Sequence, residues 1–476
     1  MKKFYITTPI YYANDKPHLG HSYTTIAADV IARYYRLKNT EVFFLTGTDE
    51  HGSKIEEAAK RNGVTCQKWV DDKVEDFKLL WKRLNISHND FIRTTEERHV
   101  KKVKDVFKKL LEKGDIFKGK YTGWYCVACE SYYTDTQLAA GGNCPDCSKN
   151  VERLDEESYF FKLSKYQDTL LKHYEKNPDF MQPSWRTSEM VNFVKSGLKD
   201  LSVSRKNVKW GITVPGDETH TVYVWFDALL NYISAAEGKD IWPCDIHFVG
   251  KEIFKFHTVI WPAMLLALDI PLPKTVFAHG WWTVNGEKMS KSKGNFVNPH
   301  KFIDKYGCDA YRYFVLRQIP FGQDGDFSEK SFKERYNSDL ANNLGNLISR
   351  TFSMVEKYSL QNVVPKASSE SSIGKSLNNF DEKFTRSMEK IELTASLDLI
   401  WEIIDEANRT IDSEKPWVLF KADKERLKAV FENLLSAVEI ISKSISPFMP
   451  ETSEKIKKII ADKNVSAPLF PRIAQE

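Results

Sequence analysis

At 476 residues the chain is long enough for more than one domain. With 42% hydrophobic and 28% charged residues, the composition excludes a disordered or fibrous protein. A net charge of +4 permits a nucleic-acid partner without demanding one, so any phosphate-binding surface must come from local clustering.

The opening MKKFYITTPIYYAND lacks the apolar run of a signal peptide, and stretches such as IWPAMLLALDI are too short to span a bilayer. A cytoplasmic protein without a membrane partner is the expectation. KKFYITTPI predicts a strand and residues 21–38 a helix, with Ile26, Val30, Tyr34 and Leu37 at helical spacing and Asp29 and Arg36 off that stripe. Pro17 disfavours helix just before it, so His18-Leu19-Gly20-His21 sits where strand gives way to helix. A helix N-terminus attracts anions through unpaired N–H groups and a partial positive charge. Gly20 gives a ligand room to approach, and the two imidazoles suit donation to phosphate oxygens. A turn with two exposed histidines accounts for the same four residues equally well.

EVFFLTGTD predicts a second strand, and residues 53–61, 66–84 and 96–113 three more helices. Asp49, at the end of that strand, suits a grip on the ammonium of a free amino acid, and suits equally a cap for the helix that follows. Next comes CVACESYYTDTQLAAGGNCPDC. Its pairs Cys126/Cys129 and Cys144/Cys147 have the spacing of four thiolates around a tetrahedral zinc, a closed and therefore structural site. Cys66, Cys244 and Cys308 are scattered and predict no site.

Alternation resumes at TVYVWFDALLNYI, DIHFVGKEIFKFHTVIWPAMLLAL and TVFAHGWWTV, which predicts a parallel sheet with its ligand crevice at the carboxyl ends of the strands. GWWTVNGEKMSKSKGN then places Lys288, Lys291 and Lys293 within six residues, beside Gly286, Ser290, Ser292 and Gly294. Three ammonium groups on one loop can wrap a polyphosphate and offset charge developing on a leaving pyrophosphate. A solvated lysine loop is the plain alternative. Beyond residue 337 the periodicity is helical almost throughout, with helices expected at 339–358, 378–412, 424–445 and 450–462.

HLGH followed far downstream by KMSKS resembles the signature pair of class I aminoacyl-tRNA synthetases. TTPIYYANDKPHLGH, FFLTGTDEHG, the double cysteine pair, YVWFDALLNY, KFHTVIWPAML and HGWWTVNGEKMSKSKGN together resemble the methionyl-tRNA synthetase family over essentially the whole chain. The fold this implies is α/β: a Rossmann-like parallel-sheet catalytic domain in two halves, 1–115 and 224–275, split by a connective insertion with a zinc knuckle at 116–223. A stem-contact region with the KMSKS loop at 276–337 and a C-terminal α-helical, anticodon-binding bundle at 338–476 follow.

The activity implied is formation of methionyl-adenylate from L-methionine and ATP, then transfer to tRNA(Met), initiator tRNA included, with structural zinc and with magnesium accompanying ATP. The resemblance assigns catalysis to His18, His21, Lys288 and Lys291. It adds Gly20, Gly250, Glu252, Gly280 and Trp282 to the ATP site. Asp49 becomes the ammonium anchor, and Ile10, Tyr12, Trp225, Ala228, Tyr232, Ile253, Phe256, His257 and Trp261 the wall around the methionine side chain. Read from the residues alone, most of that wall is simply core. Two positions depart from the family: Leu229 where proline is frequent, and Glu252 where aspartate is frequent.

In ANNLGNLISRTF, Leu340, Leu344, Leu347, Ile348 and Val355 form the apolar stripe, with Asn346 and Arg350 well away from it. The resemblance assigns Asn346, Arg350 and Trp417 to the anticodon, where an aromatic face can stack an unpaired base; a solvated polar face and a core tryptophan are the alternatives. The chain ends at PRIAQE without an appended oligonucleotide-binding domain, so a monomer is expected. Three other functions compete: a synthetase for another apolar amino acid, a non-catalytic tRNA-binding relative, and a nucleotidylyltransferase with the same HxGH chemistry.

Overall fold

The computed structural model describes residues 3–127, 131–133, 135–139, 141–284, 286–288 and 296–474. The chain divides into two compact units: Met1–Pro17 with Thr40–Leu79 and Ser87–His279, and His18–Asn39 with Leu80–Ile86 and Gly280–Glu476. No helix among the described residues is long and apolar enough to cross a membrane.

The first unit is built on a six-stranded sheet. Its order is Asp90–Arg93, Val42–Asp49, Phe4–Tyr12, Ile246–Gly250, Thr275–His279, Met181–Gln182, and every neighbouring pair is parallel. The central strands read as apolar runs rather than alternating ones because both of their faces are buried; all five residues of Ile246–Gly250 are. The chain order reverses between Phe4–Tyr12 and Ile246–Gly250, which is where open α/β sheets bind ligands. Ile10 and Tyr12 stand at the carboxyl end of the first of these strands, and Tyr12 pairs with Asp49 on its other neighbour.

The pairing between Phe4–Tyr12 and Val42–Asp49 slips between Thr7 and Ile10, because Pro9 has no N–H for the ladder. The Thr8 hydroxyl bridges to Thr46 Oγ1 at 2.8 Å across this bulge. Two short strands, Asp90–Arg93 and Met181–Gln182, were not predicted. The cysteine segment lies in a separate four-stranded antiparallel sheet of Ser131–Tyr133, Ile116–Cys126, Glu152–Phe161 and Leu201–Ser202.

In the second unit the helix Leu19–Leu37 starts two residues earlier than predicted, so Gly20 and His21 lie within its first turn. Trp282–Val284 pairs with both Glu287–Lys288 and Gly325–Asp326. The predicted helix 339–358 is a wide-turn segment, Tyr336–Gly345, running into Asn346–Lys357, with Leu340, Leu344, Leu347, Ile348 and Val355 all buried. The predicted helix 378–412 is two helices, Phe380–Glu389 and Leu393–Glu414. They part where Ile391 adopts φ 60°, a left-handed conformation that β-branched residues rarely take.

Candidate active site

His18 caps the helix Leu19–Leu37. Its Nδ1 accepts from the Gly20 N–H at 3.0 Å, and His21 Nδ1 accepts from the His18 N–H at 3.0 Å. This is a capping box built from two imidazoles. With Nδ1 of each ring accepting, the proton of each neutral imidazole is on Nε2. The rings lie 3.9 Å apart, and Phe296 meets His18 edge-on at 5.6 Å. Burial, together with adjacent His18, pushes the His21 pKa well below the ordinary histidine value. Both rings are therefore partly buried rather than solvated, and His21 is neutral. A Cβ on Gly20 would stand 3.0 Å from His18 Cε1, so a side chain here would press on the capping ring.

The predicted methionine wall gathers in the first unit. Trp225 stacks on Phe256 with ring centres 3.8 Å apart. Ile10, Tyr12 and Ile253 pack against the same apolar cluster that holds Tyr232, Phe256 and Trp261, and Ala228 beside Trp225 is buried. Phe256–Ile260 form one wide π-type turn, a device that recurs at functional sites. His257 donates from Nδ1 to the Ile253 carbonyl at 3.0 Å, so its Nε2 accepts from the Tyr232 hydroxyl at 2.7 Å. Burial pushes His257 down to about 4.

Behind this wall lies His247, which sequence reasoning missed. Its Nε2 accepts from the Trp261 indole N–H at 3.3 Å, leaving Nδ1 to donate to Thr7 Oγ1 at 2.7 Å. Asp49 is almost fully buried beside Tyr12. The helix Ser53–Arg61 is capped instead by Gly52, which makes no side-chain cap bond, so the capping alternative for Asp49 is not realised. The Glu252 carboxylate lies over Gly250, within 2.6 Å of where a Cβ would stand.

The Sγ atoms of Cys126, at the end of the strand Ile116–Cys126, and of Cys144 and Cys147, in the turns that precede Glu152–Phe161, all lie within 4.8 Å of one another, a group able to hold a metal ion. Cys129 lies outside the described residues. Burial works to raise the Cys144 thiol, but the Tyr133 hydroxyl and the Cys147 and Asp146 backbone N–H groups bring it down to about 7, which favours the ligating thiolate.

Comparison with known proteins decides among the readings. The family described as "tRNA synthetases class I (M)" matches residues 4–156 and 148–352, and "Anticodon binding domain of methionyl tRNA ligase" matches 364–472. The chain belongs to the class I methionyl-tRNA synthetases. A methionine–tRNA ligase of Caldanaerobacter subterraneus is 53% identical over 469 residues, 96% of this chain and 73% of the relative. That of Bacillus subtilis is 45% identical over 99% of this chain and 78% of its own length. Mycobacterium tuberculosis methionyl-tRNA synthetase in complex with methionyl-adenylate superposes with a TM-score of 0.93 at 38% identity, covering 99% of this chain and 100% of that one. The chain is an aminoacyl-tRNA synthetase enzyme, and the other three functions are not favoured.

The remaining expected residues of this synthetase divide as follows. Lys288 sits on the short strand Glu287–Lys288, whereas Lys291 and Lys293 lie outside the described residues. The Trp282 indole is buried against Tyr23, with ring centres 5.7 Å apart. Gly280 packs against the Gln323–Asp324 backbone, where a Cβ would come within 2.3 Å. Asn346 is exposed, and Arg350 pairs with Asp412 at 2.6 Å. Trp417 is 46% exposed on the short helix Pro416–Ala422, which removes its reading as core.

Proposed function

We propose that the chain activates L-methionine with ATP and then passes the methionyl group to the 3′-terminal adenosine of tRNA(Met), initiator tRNA included. In the first step the methionine carboxylate attacks the α-phosphorus. The bond from that phosphorus to the bridging oxygen breaks, and pyrophosphate leaves. No protein nucleophile is required, so catalysis is positioning plus electrostatic stabilisation.

Neutral His18 and His21 donate from Nε2 to phosphate oxygens, adding to the positive end of the helix that they cap. Lys288 and Lys291 offset the charge that grows on the β- and γ-phosphates. Gly20, Gly250, Glu252, Gly280 and the Trp282 main chain contribute to the ATP site, with Glu252 on the ribose. Asp49 holds the methionine ammonium, and the wall from Ile10 to Trp261 takes the polarizable thioether. Magnesium bound with ATP supplies further neutralisation of phosphate charge. Cys126, Cys129, Cys144 and Cys147 would hold one structural zinc. Asn346, Arg350 and Trp417 contact the anticodon, and the reaction runs in the cytoplasm.

The observation that carries this reading is the imidazole capping box, because it fixes both rings as neutral Nε2–H donors at a helix start. The test is charging of tRNA(Met) transcripts with radiolabelled methionine. A CAU transcript should be aminoacylated and one with a changed anticodon should lose most of that activity; equal charging of both would refute the anticodon assignment, and charging of neither the ligase reading.

A further inference from the structure

The strand that ends at Asp49 continues into Glu50 and His51, and the helix Val224–Leu229 carries Asp227 directly before the pocket-wall residue Ala228. Asp227 is 1% exposed, His51 7% and His99 0%. The carboxylate bridges two rings: Oδ2 lies 2.7 Å from His51 Nδ1 and Oδ1 lies 2.7 Å from His99 Nε2. His99, from the helix Glu97–Glu112, also reaches the Ser234 hydroxyl at 3.0 Å through its other nitrogen.

On its other side the His51 segment is fixed through Glu50, whose carboxylate accepts two bonds from Arg93, at 2.7 and 2.9 Å, and one from Thr95 at 2.6 Å. Burial works to raise the Asp227 carboxyl, and His51 and His99 overcome it and hold the group below the ordinary carboxylate range. Apolar side chains of similar volume would stabilise such a core as well as three polar groups do. What the polar cluster supplies is a directional spacing between the segments that carry it.

We propose that Asp227, bridging His51 and His99, is a positioning residue for methionine recognition: it fixes the distance between the ammonium anchor Asp49 and the Ala228 wall of the side-chain pocket. This rests on the reading of Asp49 and Ala228 as methionine contacts. The rings also dictate which substitutes can work. His51 donates from Nδ1, the position that an asparagine amide matches, whereas His99 donates from Nε2, which glutamine matches.

The experiment is pyrophosphate exchange with methionine and ATP each varied, run beside thermal melting on the full chain. His51→Leu should raise the methionine KM about tenfold and leave the ATP KM within about twofold, since a recognition geometry rather than the chemistry is disturbed. His51→Asn should restore the methionine KM to within about threefold of the unaltered protein, and His99→Gln should likewise outperform His99→Leu. If His51→Leu does not fold, His51→Gln serves, because its donor stands one bond too far out and should produce the same rise.

Leu and Asn variants with equal methionine KM, or a lowered melting temperature with both KM values unchanged, would show that the cluster only fills the core. Asp49→Ala separates the two levels of the argument. If it leaves the methionine KM unchanged, the ammonium reading fails and this inference with it. If it raises that KM while His51→Leu does not, the inference alone is wrong.

Discussion

His18 and His21 accept backbone N–H groups through Nδ1 at the start of a helix, and the proposed function gives their Nε2 edges the second purpose of donating to phosphate oxygens. A substitution can separate these purposes. His21→Asn keeps an acceptor where Nδ1 stood but loses the Nε2 donor, so melting should hardly change while adenylate formation slows by about a hundredfold, the scale of one lost transition-state donor. Single-turnover kinetics with methionine saturating checks this, and a near-normal rate would remove His21 from the chemistry.

Buried, neutral histidines also set a pH dependence. His21 and His247 lie well below the ordinary value and His257 at about 4, all chiefly through burial. In the unfolded chain each takes up a proton near pH 6.5, whereas folded His257 resists protonation down to about 4. Stability is therefore full above about pH 6.5 and falls with pH through that window, by about 1.4 kcal/mol per pH unit for each such histidine. Urea midpoints at pH 7.5 and pH 5 should show the lower value at pH 5; equal midpoints would mean that these rings titrate normally.

At the scale of elements, the cysteine segment has only a small core among the described residues, with Cys126, Cys144 and Tyr133 buried at its centre, so the proposed zinc would be what holds it. About one zinc per chain should copurify, bound by all four cysteines, and Cys144→Ser should lose it while ATP binding persists. Elemental analysis finding no zinc in folded, active protein would contradict this.

Element legibility followed length and local chemistry. The helices Ser53–Arg61, Cys66–Arg83 and Glu97–Glu112 match the sequence pattern within a residue at each end, because their apolar residues recur at helical spacing. Asp90–Arg93 is too short to show a period, and the break at Ile391 carries neither glycine nor proline. Asp29 falls off the apolar stripe of its helix and yet is fully buried, because Arg33 and Arg312 pair with it at 2.7 and 2.8 Å. A remote charge partner of that kind leaves no local pattern. For the same reason the helix start at His18–His21 could be read from local sequence, whereas His247 and the His51–Asp227–His99 bridge could not. Their partners stand up to 240 positions away in the chain, as Thr7 does from His247.

For the whole molecule, separate family descriptions match 4–352 and 364–472; of the residues proposed for the anticodon, Trp417 falls in the second stretch and Asn346 and Arg350 near the end of the first. Trp417, with Val418 and Phe420, forms an exposed apolar surface suited to base stacking. Trp417→Ala should weaken tRNA binding by about 1–3 kcal/mol and leave tRNA-independent exchange unchanged. Filter binding and exchange on that one variant check it, and a loss of both activities would make the residue structural.

The claim on which all of this depends is that the chain activates methionine. ATP–pyrophosphate exchange, measured without tRNA against methionine, norleucine, leucine, isoleucine and valine, tests it most directly. Exchange should be strong with methionine, weaker with norleucine by only a few kcal/mol in kcat/KM because the two are near-isosteres in an apolar pocket, and at background with the branched amino acids. Exchange that responds best to a branched amino acid, or to none of the five, would contradict the account.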